Sequence, residues 1–245
     1  MNVKTYYELL APLCESLLDA QEKNLMNAAK MCAEAIEKGG VIHAFGSGHS
    51  HCLVEELFHR AGGLIPINPL LEPSLMPHIG PNQAGRSERL SGFAETFLPS
   101  YNFKKNEPVL IFSNSGINPV PIEVALYVKK LGCQVISVTS VRHSQNQKSR
   151  HPKGLKLYEV SDLVIDSGVP VGDAVVPIPN SLIRAIPASG FLGILVVNTL
   201  ATLVVQSLIF KKIEPPIYQS ANTAGGPERN QKLEEKYLPR IKCLN

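Results

Sequence analysis

Tryptophan is absent from this 245-residue sequence, aromatic residues make up 6% of it and charged residues only 18%. The five cysteines, Cys14, Cys32, Cys52, Cys133 and Cys243, are odd in number and form no C-x-x-C pair. That pattern excludes a disulfide framework and a zinc knuckle. No His/Cys/Asp cluster has metal-ligand spacing, so neither a metal nor a cofactor is expected. The run from Gly46 carries His51 where a dinucleotide fingerprint needs its third glycine, and no Gly-Lys-Ser/Thr P-loop occurs. Charge of one sign is never concentrated. With 24 Lys+Arg scattered against 21 Asp+Glu, neither nucleic acid nor a membrane surface is an expected partner. Glu8, Glu15 and Asp19 come too early for a secretory leader, and the expected location is cytoplasmic.

What is present is a globular pattern, with 44% hydrophobic residues. Apolar residues recur at three- and four-residue spacing over 3–38, predicting a long N-terminal helix with Pro12 at a start or kink. Short, continuous apolar runs follow at 41–45, 64–68, 108–112, 133–139 and 163–165. Helical patterns over 51–61, 87–98 and 119–131 alternate with them. Continuous rather than alternating apolar strands belong to a parallel sheet covered on both faces. The expected fold is therefore α/β, a three-layer α/β/α sandwich around a mostly parallel five-stranded sheet of flavodoxin-like order. Nothing divides the chain, so a single domain over 1–245 is expected. Its core spans about 35–212, with helical extensions at both ends and a polar helix near 227–238. Residues 69–85 and 141–154 read as loops.

In such sheets ligands bind at the carboxyl ends of the strands. Three of these ends are rich in glycine and small hydroxyl residues: Gly46–Ser50, Ser113–Asn118 and Thr139-Ser140. The second opens a helix directly, so free amides at the helix start and serine hydroxyls would favour an anion such as phosphate.

The run FSNSGINP, after an apolar strand and before a helix, resembles the signature of sugar isomerase (SIS) domains. HAFGSGHSH and GCQVISVTS resemble the neighbouring ligand loops of the same fold. The resemblance covers roughly residues 35–170, and the whole chain resembles bacterial SIS proteins described as phosphoheptose isomerases. It implies Ser113, Asn114, Ser115 and Asn118 as phosphate-binding residues, Ser47 and Ser50 at the sugar, and Thr139 and Ser140 in the third loop. In phosphoheptose isomerases a histidine and a glutamate follow the first loop. The matching positions here are Glu56 and Arg60, and the family's later catalytic histidine has no counterpart, because the last histidine is His151.

Aldose–ketose isomerisation through an enediol needs a base beside the carbonyl and an acid for the oxygens. Glu56 and Glu88 are the candidate catalytic carboxylates, with Arg89 beside the second. A lyase or etherase acting on an amino-sugar phosphate, and a sugar-phosphate-sensing module without chemistry, are the alternatives. Glu55 and His59 are spaced to pair on a helix, His43 is expected in the core, and His49 and His51 near sugar hydroxyls. His78, His143 and His151 are expected in solvent loops, and Cys52 is expected to be buried. The polar segment 219–226 is a candidate to fold over a ligand site. Residues 189–210 are uncharged and apolar almost all round, predicting a helix buried in the core and in a homodimer or homotetramer interface rather than in a membrane.

Overall fold

A computed structural model describes residues 2–244. The long helix α1 (Thr5–Glu37) leads into β1 (Ile42–Gly46), α2 (His51–Leu57) and β2 (Ile67–Leu70). Two short helices, α3 (Pro81–Ser87) and α4 (Ala94–Phe97), precede β3 (Pro108–Phe112), α5 (Pro119–Lys130) and β4 (Gln134–Thr139). Then come α6 (Val141–Gln145), α7 (Leu157–Val160), β5 (Leu163–Asp166), the hairpin β6 (Ala174–Pro177) with β7 (Arg184–Pro187), α8 (Ser189–Phe210) and α9 (Gly226–Glu234).

Five strands form one parallel sheet in the order β2-β1-β3-β4-β5. Alternate side chains of each strand enter one of two cores, as the pleat requires. Ile42, Ala44, Leu110, Phe112, Ile136 and Val138 face α1, α2 and α8, whereas Phe45, Val109, Ile111 and Val135 face α4, α5 and α7. The sandwich expected from the apolar runs is therefore present. Leu10, Leu17 and Leu25 are fully enclosed, so α1 is a wall of the main core.

Several boundaries differ from the expected ones. Residues 51–61 do not form one helix: α2 ends at Leu57, because Phe58 turns extended and Gly62 and Leu64 bond to the returning C-terminal segment at Tyr218 and Ile217. That pairing also displaces the strand expected at 64–68 to 67–70. Glu55 consequently lies 3.6 Å from His51, while His59 pairs with Glu234 at 3.2 Å. The stretch 87–98 is split around Gly92, whose positive φ of 84° suits glycine. The loop expected at 69–85 contains the end of β2 and most of α3, and 141–154 opens with α6. The β6–β7 hairpin was not legible as strands, since its exposed apolar residues do not alternate cleanly.

α8 is long and apolar enough to cross a membrane. It is not buried all round: Leu192, Val196, Val197, Leu200, Val204 and Leu208 pack inward, largely on α1, while Phe191, Ile194, Ile209 and Phe210 remain exposed.

Candidate functional site

The strand order reverses between β1 and β3, and the loops leaving those two strands face a common crevice, where ligands bind in open α/β sheets. The first loop turns so tightly that a Cβ on Gly46 would sit 2.4 Å from the Ser50 carbonyl oxygen, which only glycine avoids. His51 Nδ1–H donates to Gly48 O at 2.6 Å and holds the turn.

In the second loop the carbonyls and amides are used differently. The carbonyls accept from neighbours: Asn114 O from Ser140 N (3.0 Å), Gly116 O from Leu157 N (2.8 Å) and Ile117 O from Arg150 N (2.9 Å). Of the amides, Gly116 N donates to Ser113 Oγ (3.2 Å), but those of Asn114, Ser115 and Ile117 meet no acceptor among the described residues. Those three oxygens are turned into the protein and three of the N–H groups are left free, an arrangement suited to an anion. The expected source of those amides was the start of α5, and this is corrected. Pro119 and Pro121 have no N–H, and Val120 N donates to Glu88 O at 3.3 Å. The loop, not the helix, offers the donors.

The hydroxyls of Thr139 and Ser140 are committed elsewhere. Thr139 Oγ1 donates to Asn114 O (3.3 Å), and Ser140 Oγ donates to Val169 O (2.7 Å) while accepting from His143 N (3.2 Å). The Thr139 hydroxyl braces the second loop from behind, and that of Ser140 ties the following segments together. Gly116 fits closely there: a Cβ would lie 2.8 Å from Thr139 Oγ1.

A cavity of about 320 Å³ opens between these loops, the start of α2, the hairpin and the start of α8. Ser50, Ser113, Asn114 and the exposed His49 line it, and so does Cys52, which is exposed rather than buried. Burial still raises the Cys52 thiol pKa, with Glu55 adding to the effect. Sequence reading missed Ser167, Asp173 and Ser189 in the wall. Asp173 accepts from Ser189 N (2.8 Å), Ser189 Oγ (2.6 Å) and Ala188 N (3.0 Å), so it caps α8. Asn114 Oδ1 and Ser167 Oγ are buried at the wall without a hydrogen-bond partner, and the hydroxyls of Ser50 and Ser115 have none among the described residues. Unsatisfied polar atoms of this kind are uncommon and call for a cause.

Glu88 stands where the two loops meet. Its carboxylate takes hydrogen bonds from Asn118 Nδ2 and the Ser47 side chain, and Asn118 Oδ1 accepts from Arg150 Nη1 at 2.7 Å. Burial raises the Glu88 pKa, against the lowering effect of the Ser47 hydrogen bond and the Arg89 and Arg150 charges. Like Glu88, Glu56 is outside the cavity lining. It pairs with Arg60 and accepts from Asn198 Nδ2 of α8 at 3.0 Å. Among the remaining histidines, His43 is buried and bonded to Glu107 (3.1 Å) as expected. His151 is buried, not in a solvent loop. No group of His, Cys, Asp and Glu among the described residues could hold a metal ion.

The SIS domain family matches residues 5–140. A UPF0309 protein of Geobacillus kaustophilus is 39% identical over 99% of this chain and 96% of its own length. One from Halalkalibacterium halodurans is 38% identical over 99% and 97%. Among solved structures, a phosphoheptose isomerase from Francisella tularensis superposes with a TM-score of 0.54 at 17% identity, covering 83% of this chain and 96% of that one. Its counterpart from Neisseria gonorrhoeae gives 0.53 at 14%, covering 83% and 97%. Those two likenesses concern the fold.

Proposed function

The chain belongs to the SIS domain family, and from that premise we propose that it binds a phosphorylated sugar at the β1–β3 crevice and interconverts its aldose and ketose forms. The observation that carries the reading is the second loop, whose carbonyls are taken by the protein while the amides of Asn114, Ser115 and Ile117 are left for an anion. Ser113 and Ser115 supply hydroxyl groups to the same phosphate, and Ser50, Asn114 and Ser167 meet the sugar. Glu88 is the acid–base group. Its burial favours the protonated form, which brings its affinity for a proton closer to that needed for taking one from carbon and returning it. In this reading the carboxylate removes the proton beside the carbonyl to give an enediolate, the proton of the neighbouring hydroxyl passes to the former carbonyl oxygen, and the carboxylate returns its proton to the former carbonyl carbon, leaving the new carbonyl next to it. Asn118 and Ser47 hold the carboxylate, and Arg150 holds Asn118. Glu56 serves to tie α2 to α8. The test is a screen of aldose and ketose phosphates with the purified protein. Turnover that disappears in Glu88→Gln is expected, and binding without any turnover would leave a sensing module instead.

The exposed residues of α8, together with Leu182, Ile183 and Ile186 on the hairpin, support assembly into a homodimer or homotetramer. Sedimentation at micromolar concentration is expected to give a species larger than 26.7 kDa.

A further inference from the structure

A second cavity, of about 260 Å³, lies between α4, α5 and residues 151–153, and shares no lining residue with the first. Two groups in its wall are incompletely bonded. Glu123 Oε1 accepts from Ser91 Oγ (2.7 Å) and Gly92 N (2.8 Å), but Oε2 is buried without a donor. His151 is only 8% exposed, and its Nδ1 accepts from Lys153 N at 3.2 Å. That bond puts the proton of the neutral ring on Nε2, and Nε2–H meets no acceptor among the described residues. The wall thus holds an acceptor in want of a donor and a donor in want of an acceptor.

A hydroxyl group answers both needs, and neighbouring hydroxyls answer them together. Lys130 and Lys153 line the same cavity with exposed side chains that can meet an anionic group, while the exposed Glu95 in the same wall opposes one. The volume lies just under the range of drug-sized pockets and suits a smaller molecule. The walls are also wired to the first site. Ser91 and Gly92 follow Glu88 closely in the chain, and His151 is joined directly to Arg150. Glu88 and Arg150 are the two residues that grip Asn118 from opposite ends of its amide.

We propose that this cavity is a second binding site, taking a small polyhydroxylated anion of the sugar-phosphate class, and that its occupancy sets the grip of Glu88 and Arg150 on Asn118. The coupling half of this statement rests on the reading of the first site, whereas the binding half does not. Titration calorimetry with glucose 6-phosphate, and with glucose to separate the contribution of the phosphate, tests both. The wild type is expected to bind two equivalents of glucose 6-phosphate. Glu123→Gln and His151→Ala should each weaken one of them about tenfold or more, the loss of one well-made hydrogen bond, and Asn114→Ala should weaken the other. Lys153→Ala, a surface change with little risk to folding, should weaken glucose 6-phosphate and leave glucose unaffected. An isotherm that none of Glu123→Gln, His151→Ala and Lys153→Ala alters overturns the second site. Binding that survives Asn114→Ala but is abolished by Glu123→Gln would overturn the first-site reading and leave the second standing. Two sites whose affinities are independent in every variant would remove the coupling.

Discussion

At the amino ends of β1 and β3 one buried carboxylate is surrounded by donors; towards the carboxyl ends of the same strands a second, Glu88, has fewer. Glu107, just before β3, accepts from Val41 N, Lys104 N, His43 Nε2 and Arg240 Nη2. Burial alone would raise its pKa, yet the His43, Arg240 and Val41 hydrogen bonds outweigh this and lower it to about 2. Asn68 Nδ2 donates to His43 Nδ1 at 2.9 Å and extends the network to β2. At the opposite end, Asn114 Oδ1 and Ser167 Oγ are buried and unbonded, and Glu88 is held with its pKa raised. One carboxylate is stabilised as a charge; in the other, burial favours the protonated form. On the proposed reading of Glu88, the direction of the pKa shift, rather than burial, distinguishes these two carboxylates.

Glu107→Gln should be the most damaging way to break this contrast. It leaves the Arg240 guanidinium buried without its counter-charge and is expected to cost about 3–5 kcal/mol in chemical denaturation. Glu88→Gln should do the reverse. Turnover is expected to fall by about 10²-fold or more, the ordinary worth of a general acid–base group, with the denaturation midpoint close to wild type. The pH dependence of stability sharpens the comparison. Because the folded Glu107 pKa lies below its ordinary value of 4.5, its contribution is complete above that pH and is lost as pH falls towards about 2. Urea midpoints should therefore drop across that window in the wild type and much less in Glu107→Gln. The smallest effect belongs to Asn114→Ala. It should weaken sugar-phosphate binding about tenfold and change stability by no more than about 0.5 kcal/mol. A large loss of stability there would mean that Asn114 is a structural residue.

Much of the sheet was legible because β3 and α5 are bounded by local signals: a continuous apolar run, a proline at the helix start and Gly132 at its end. The second ligand loop could be read for the same reason, its residues being contiguous. What escaped depends on partners distant in the chain. α2 stops early because residues 217 and 218 return to pair beside it, and no pattern within 51–61 carries that information. Glu88 was identified as a candidate beside the pocket, but the helix expected around it was not the one that forms; it sits at the end of α3, against Asn118. Ser167 directly follows β5, a strand end the sequence reading passed over, whereas Asp173 was missed because it joins the wall through the cap it forms on α8. The role expected for the α5 amides failed on a simple count, as Pro119 and Pro121 remove two of the donors.

The packing of α1 on α8 also governs the order in which the chain can mature. The Tyr6 hydroxyl donates to Pro187 O at 2.8 Å, and Leu10, Leu17 and Leu25 share their core with Leu192, Val196, Leu200 and Val204. α1 thus gains its most extensive cover only after α8, far later in the chain, has been synthesised. Until then the part of α1 that packs on α8 is open to water, and α8 then emerges with hydrophobic residues on both sides. Closing a contact across so much of the chain is entropically slow, and the waiting surface is open to association with other chains. A nascent chain arrested before residue 189 would hold α1 in that uncovered state, with the sheet strands already made but one of its layers missing.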